Sequence, residues 1–119
     1  MAVVYNTTLK NTRMTDVVAA IGATGKLIIG TAGMGATLAT LDLSAIAGTV
    51  AGGVLTFNPI TSTIASGTGT AEEATITDGA SDVVTGLTVG VSGANVNLSS
   101  VLITTGDSVA ITSGTITHG

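Results

Sequence analysis

The chain has 119 residues, enough for one domain, with 8% charged and 45% hydrophobic residues and a formal net charge of −4. Three cations against seven carboxylates leave no electrostatic footprint for nucleic acid, and a single tyrosine and a single phenylalanine supply no stacking platform for bases. With no cysteine, no tryptophan and one histidine, the side chains that build nucleophiles, general acids and metal sites are nearly absent, so no enzyme, cofactor, metal or small-molecule substrate is expected.

The opening Met-Ala-Val-Val-Tyr-Asn lacks a basic region followed by a continuous apolar stretch, so no secretory signal is expected. Positions 6–22 read as an amphipathic helix. Met14, Val17, Val18 and Ile21 fall at i, i+3, i+4 and i+7 with Leu9 near the same stripe, while Lys10, Arg13 and Asp16 show on the opposite face. Asn6, Thr7 or Thr8 can cap its start, and Gly22 can take the left-handed conformation that ends it. The default meaning of such a helix is packing on a sheet.

Everything after Gly25 reads as strand and turn. Lys26-Leu27-Ile28-Ile29 is a short run rich in β-branched residues, and 37–43 follows after a glycine-containing loop. Leu41 and Leu43 alternate with Thr40 and Asp42, whereas Leu38 is out of phase and predicts a bulge. Val54-Leu55-Thr56-Phe57-Asn58 is the next strand, closed by Pro59, and 60–64 extends it past a bend. The window 43–57 is the most apolar, but it is short and broken by Gly48, Gly52 and Gly53, so no membrane span is expected.

Positions 73–77 are expected to pair with 83–91 across the turn Asp78-Gly79-Ala80-Ser81-Asp82. Gly93 and Ala94 mark another reversal, after which Val96 and Leu98 point one way and Asn95 and Asn97 the other. Positions 101–103 lead through Thr104-Thr105-Gly106-Asp107 into a strand at 108–112. A final strand at 114–117 continues it with a register change at Gly114. Eight or so short strands, closely spaced between Gly, Ser, Asn and Asp, predict an all-β fold: an antiparallel β-sandwich, jelly-roll-like, with one short N-terminal amphipathic helix. No linker divides it, so residues 1–119 are expected to form a single domain whose arm and helix occupy about 1–22.

None of the candidate chemical motifs is convincing. Gly22-Ala23-Thr24-Gly25-Lys26 superficially matches a phosphate loop, but Ala20 and Leu27 occupy positions where that pattern needs Gly and Ser or Thr, and a helix precedes it. Glu72 and Glu73 are adjacent, so on a strand they point to opposite faces and cannot share a proton. Asp78, Ser81 and Asp82 could offer oxygens to calcium, though their spacing is not that of an EF-hand loop. His118 has neither a cysteine nor a second histidine to join it, and the patterns Asn6-Thr7-Thr8 and Asn97-Leu98-Ser99 matter only in a secreted eukaryotic chain.

Charge is the more informative property. A soluble monomer ordinarily carries about 25% charged residues, and a surface of Thr, Ala and Gly suits close packing against other chains better than isolation in water. The placement is polar too. Lys10, Arg13 and Lys26 face only Asp16 among the first 26 residues, and no lysine or arginine follows, while six carboxylates do. The N-terminal segment therefore either docks on an acidic surface or presents a solvated helix face.

The order of segments carries a resemblance. Arg13-Met14-Thr15-Asp16-Val17-Val18-Ala19-Ala20-Ile21, Gly25-Lys26-Leu27-Ile28-Ile29, Gly53-Val54-Leu55-Thr56-Phe57, Gly93-Ala94-Asn95-Val96-Asn97-Leu98 and Gly106-Asp107-Ser108-Val109-Ala110-Ile111-Thr112-Ser113 together resemble a family of small virion structural proteins of tailed bacteriophages. The resemblance covers most of the chain and rests on strand and turn signatures. It implies a capsid cement or decoration protein on the exterior of the virion, made in the bacterial host cytoplasm, that binds and stabilises the assembled shell. The implied partners are the major capsid protein and further copies of this chain, as dimer or trimer, with no nucleic acid and no membrane. Contacts are expected at Ala2, Val3, Val4 and Tyr5 of the arm and at Lys10 and Arg13 of the helix. The alternatives are a tail or fibre component and, from a different class, a small carbohydrate-binding module, for which Tyr5 is the one Tyr or Trp ring on which a sugar could stack.

Overall fold

A computed structural model describes residues 6–43 and 46–117. It begins with helix α1, Thr7–Ile21, capped at both ends as its residue types predict. The Asn6 side chain accepts the Leu9 N–H at 2.8 Å, and Gly22, at φ +70°, donates its N–H to the Val18 carbonyl at 3.1 Å. Met14 and Ile21 are buried, with Val17 and Val18 packed against the core, so the apolar stripe is the face the helix turns inward.

Twelve strands follow among the described residues: β1 Lys26–Gly30, β2 Thr37–Asp42, β3 Gly48–Ala51, β4 Val54–Phe57, β5 Thr63–Ile64, β6 Gly69–Thr70, β7 Glu73–Thr77, β8 Asp82–Gly90, β9 Val96–Leu98, β10 Leu102–Ile103, β11 Ser108–Val109 and β12 Ile111–Thr117. Eight of them make one curled sheet in the order β2-β1-β7-β8-β9-β12-β4-β3, and the pairs β10-β6 and β11-β5 make two small sheets. The fold is all-β with one short N-terminal helix. Ile103 of β10 and Val109 of β11 join the core formed by Leu27, Ile29, Leu38, Leu41, Ile76, Leu87, Val96 and Leu98, so the small sheets cover the inner face of the large one. Each of these larger side chains taken out of water stabilises the fold by about 1.5–3 kcal/mol.

The bulge predicted at Leu38 is present: Ile29 pairs with Ala39 and Gly30 with Thr37, leaving Leu38 unopposed and both Leu38 and Ala39 buried. The β7–β8 hairpin forms across the expected turn. Two connections differ from expectation. Residues 91–95 do not reverse the chain into an antiparallel neighbour, because β8 and β9 run parallel, with Val89 opposite Val96 and Gly90 opposite Asn97, which makes the large sheet mixed. Asparagine side chains hold this tight loop: Asn97 accepts the Ala94 N–H and donates to the Ala94 carbonyl, while Asn95 accepts both the N–H and the hydroxyl of Thr88. β10 and β11 flank a turn but pair with β6 and β5 in turn, not with each other. The register shift in β12 lies between Ile111 and Ser113, opposite Asn97 and Leu98, instead of at Gly114.

Candidate interaction surfaces

Ala2, Val3, Val4 and Tyr5 lie outside the described residues, as does His118. Of the expected contact residues, Lys10 and Arg13 can be placed. Both stand on α1, which packs over β3 and β4. Arg13 is exposed, whereas Lys10 is half-buried because its aliphatic stem lies over Gly53 in the β3–β4 turn. Asn11, next to it, accepts the Gly53 N–H through Oδ1 at 2.8 Å. The helix is therefore latched to the hairpin by the Lys10 stem and the Asn11 amide. Lys26, the third cation, sits directly opposite Asp42 across β1 and β2 and forms an ion pair with it.

The weak chemical motifs are absorbed by the backbone. Asp78 accepts the N–H groups of Ser81 at 2.7 Å and Ala80 at 2.8 Å, and these bonds hold its carboxyl below the usual carboxylate range. The Thr24 hydroxyl donates to the Asp78 carbonyl at 2.8 Å, tying the β7–β8 turn to the segment that leads into β1. Asp78 thus acts on its own turn, and no group of three His, Cys, Asp or Glu side chains that could hold a metal occurs among the described residues. Gly22-Ala23-Thr24-Gly25-Lys26 is the helix stop followed by the turn into β1, with a shallow cleft beside it lined by Thr24, Lys26 and Asp42.

A second cleft, of about 270 Å³, runs along Phe57, Asn58, Ile60, Ile111, Ser113 and Gly114. Its floor depends on Gly114, where an added Cβ would lie 2.4 Å from Cδ2 of the Phe57 ring. The polar groups at its rim are engaged with the chain itself: the Thr112 hydroxyl donates to the Asn97 carbonyl, Ser113 accepts from the Asn97 amide, and the Asn58 amide donates to the Ile46 carbonyl.

Charge divides the large sheet in two. The half β2-β1-β7-β8 contains Asp42, Lys26, Glu73 and Asp82, with Asp78 in its turn. The half β9-β12-β4-β3 contains no charged residue in any of its four strands. On its outer face Thr49 stands opposite Thr56 and Thr56 opposite Thr115, a row of threonines crossing three strands. Thr49, Ala51, Thr56, Ser113 and Thr117 on this face are exposed, while Leu55 and Ile116 point to the other side, Leu55 fully buried and Ile116 packed against the core. This neutral, hydroxyl-covered plane was not singled out by reading local motifs, because it joins the β3–β4 hairpin to β12, which lies far along the chain.

Comparison with protein-family models, with curated proteins and with solved structures gave no match to this chain.

Proposed function

We propose that the chain is a virion structural protein of a tailed bacteriophage, a capsid cement protein that binds the assembled shell and stabilises it. The observation that carries this reading is the uncharged half-sheet β9-β12-β4-β3 with its exposed threonine row. Such a face desolvates without stripping water from ions, and its hydroxyls can bond to a neighbour's backbone when water leaves. A protein that binds only the assembled shell stabilises it by mass action, increasingly so as more copies bind above their dissociation constant.

The helix end of the molecule would supply the electrostatic part of docking. Arg13 is exposed and Lys10 is half-exposed on the same helix, so a carboxylate-rich patch on the major capsid protein would draw this end in. The arm Ala2–Tyr5 leads directly into this region in sequence.

The test is particle stability. Particles assembled with and without this protein should differ under heat and under dilution to low osmotic strength, the complete particles losing their genome at higher temperature. Equal release curves for the two preparations would refute the cement role.

A further inference from the structure

We infer that the outer face of β1, β7 and β8 carries a binding site for an aliphatic diamine, a small molecule with an ammonium group at each end of an alkyl chain. The site lies apart from both surfaces assigned to shell docking, so it goes beyond the cement role and does not depend on it.

The site is a cleft of about 340 Å³ on the charged half of the large sheet. Alternation along β7 sends Ala74 and Ile76 into the core and turns Glu73 and Thr75 to the other face, where Ile28 of β1 stands opposite Thr75. Two backbone features shape the space. Gly30, opposite Glu73, leaves room for the Met34 thioether: a Cβ on Gly30 would lie 2.9 Å from both Sδ and Cε of Met34. Met34, held in the left-handed region at φ +56°, lines the cleft at the Glu73 end. On β8 the register steps from Ala74–Leu87 to Ile76–Val84, so Thr85 and Gly86 oppose the single residue Thr75. Thr85 lines the cleft from this bulge, where Gly86 takes φ +74°.

Three polar groups in the cleft have work left to do. Thr75 is only 6% exposed, yet its hydroxyl makes no hydrogen bond with any described residue. No side-chain oxygen sealed from solvent is unpaired among those residues, so this hydroxyl opens onto the cleft it lines. The Glu73 and Asp82 carboxylates line the same cleft, and neither has a hydrogen-bonded or ion-paired partner among the described residues. Lys26 stands in one row with Thr77 and Asp82, but two strands from Asp82, and it is paired with Asp42.

Spacing selects the ligand. Asp82 stands opposite Thr77, four positions along β7 from Glu73, which sets the two carboxylates about 13 Å apart along the strand. One metal ion, with oxygen ligands at about 2.3–2.6 Å, cannot touch both. Two ammonium groups about 7 Å apart can, each donating at about 2.8 Å to one carboxylate, and an alkyl chain of four or five carbons holds that separation. The chain would lie over Ile28 and Met34, and the Thr75 hydroxyl between the two ends offers an acceptor to either ammonium group. The cleft volume suits a ligand of this size.

Calorimetric titration of the full-length protein in low-salt buffer tests the site. The diamines 1,4-diaminobutane and 1,5-diaminopentane should bind one to one, and butylamine, with a single ammonium group, about tenfold more weakly or less tightly still. Magnesium chloride at matched ionic strength should not displace the diamines. Glu73→Gln and Asp82→Asn should each weaken diamine binding about five- to tenfold, the effect of losing one charge-assisted hydrogen bond. Glu72→Gln, next in sequence but outside the cleft, should leave it unchanged. Thr75→Val keeps the side-chain shape and removes the hydroxyl, so it should weaken binding while the melting temperature holds or rises. No binding by the wild type, equal binding of butylamine and the diamines, displacement by magnesium, a loss in Glu72→Gln as large as in Glu73→Gln, or full affinity in Thr75→Val would each overturn the inference. Genome release from particles reads the cement role separately, so either reading can fail alone.

Discussion

Asp78 shows how a residue that looks like a ligand can be engaged by its own turn. Its carboxylate accepts the Ser81 and Ala80 N–H groups, and both bonds favour the charged form in the folded state. Its folded pKa is therefore depressed below its unfolded value of about 4, and the stability it contributes is complete above that value. That contribution is lost as pH falls through the lower, folded value. Asp78→Ala should lower the melting temperature at neutral pH, with the gap from wild type shrinking in acid below about pH 4. Thermal unfolding followed over a pH series checks this. A gap unchanged deep in acid would show that the side chain acts through shape and not through its charge. The same residue measures what could be read before the fold was known: the turn and its hairpin follow from Asp, Gly and Ser at those positions. The alternative of a calcium ligand could be weighed only once the oxygen's partners were visible.

Among the elements, α1 and the Leu38 bulge were legible because each is written in a local period, 3.6 for the helix and 2 for the strand. The β3–β4 hairpin was equally local and was overlooked. Thr49-Val50-Ala51-Gly52-Gly53-Val54-Leu55-Thr56 carries two glycines between alternating strands, the signature of a two-residue turn with positive φ at both central positions, here +59° and +76°. Reading 43–57 as one apolar window hid it. The parallel β8–β9 pair was not legible at all, since it depends on where the Asn95 and Asn97 side chains find partners after folding. The hairpin also tests the latch to α1. A Cβ at Gly52 meets nothing within 4 Å, whereas one at Gly53 would lie 3.0 Å from Lys10 Cδ and 3.2 Å from its Cβ. Gly52→Ala should cost about 1–2 kcal/mol of backbone strain. Gly53→Ala should cost more, because the helix must also shift away from the turn. Urea unfolding compares the two, and equal losses would mean that α1 does not rest on this turn in solution.

At the scale of the whole molecule, the uneven charge reads as a division of labour that salt can separate. Lys26 and Asp42 form an ion pair whose side chains are 42% and 79% exposed, so it contributes at most about 1 kcal/mol. Against it stand five further carboxylates, Glu72, Glu73, Asp78, Asp82 and Asp107, with no cation among them, whose mutual repulsion is strongest at low ionic strength. Adding sodium chloride up to about 0.15 M, where the screening length is near 8 Å, should therefore raise the melting temperature of the isolated protein slightly. Docking on the shell through Lys10 and Arg13 should weaken, since there the charges attract. Measuring melting temperature and particle occupancy across one salt series gives two slopes. The expected signs are up for the fold and down for occupancy. Occupancy that rises with salt would move the shell contact from the helix end to the threonine face, where desolvation of uncharged surface and not attraction between ions would drive binding.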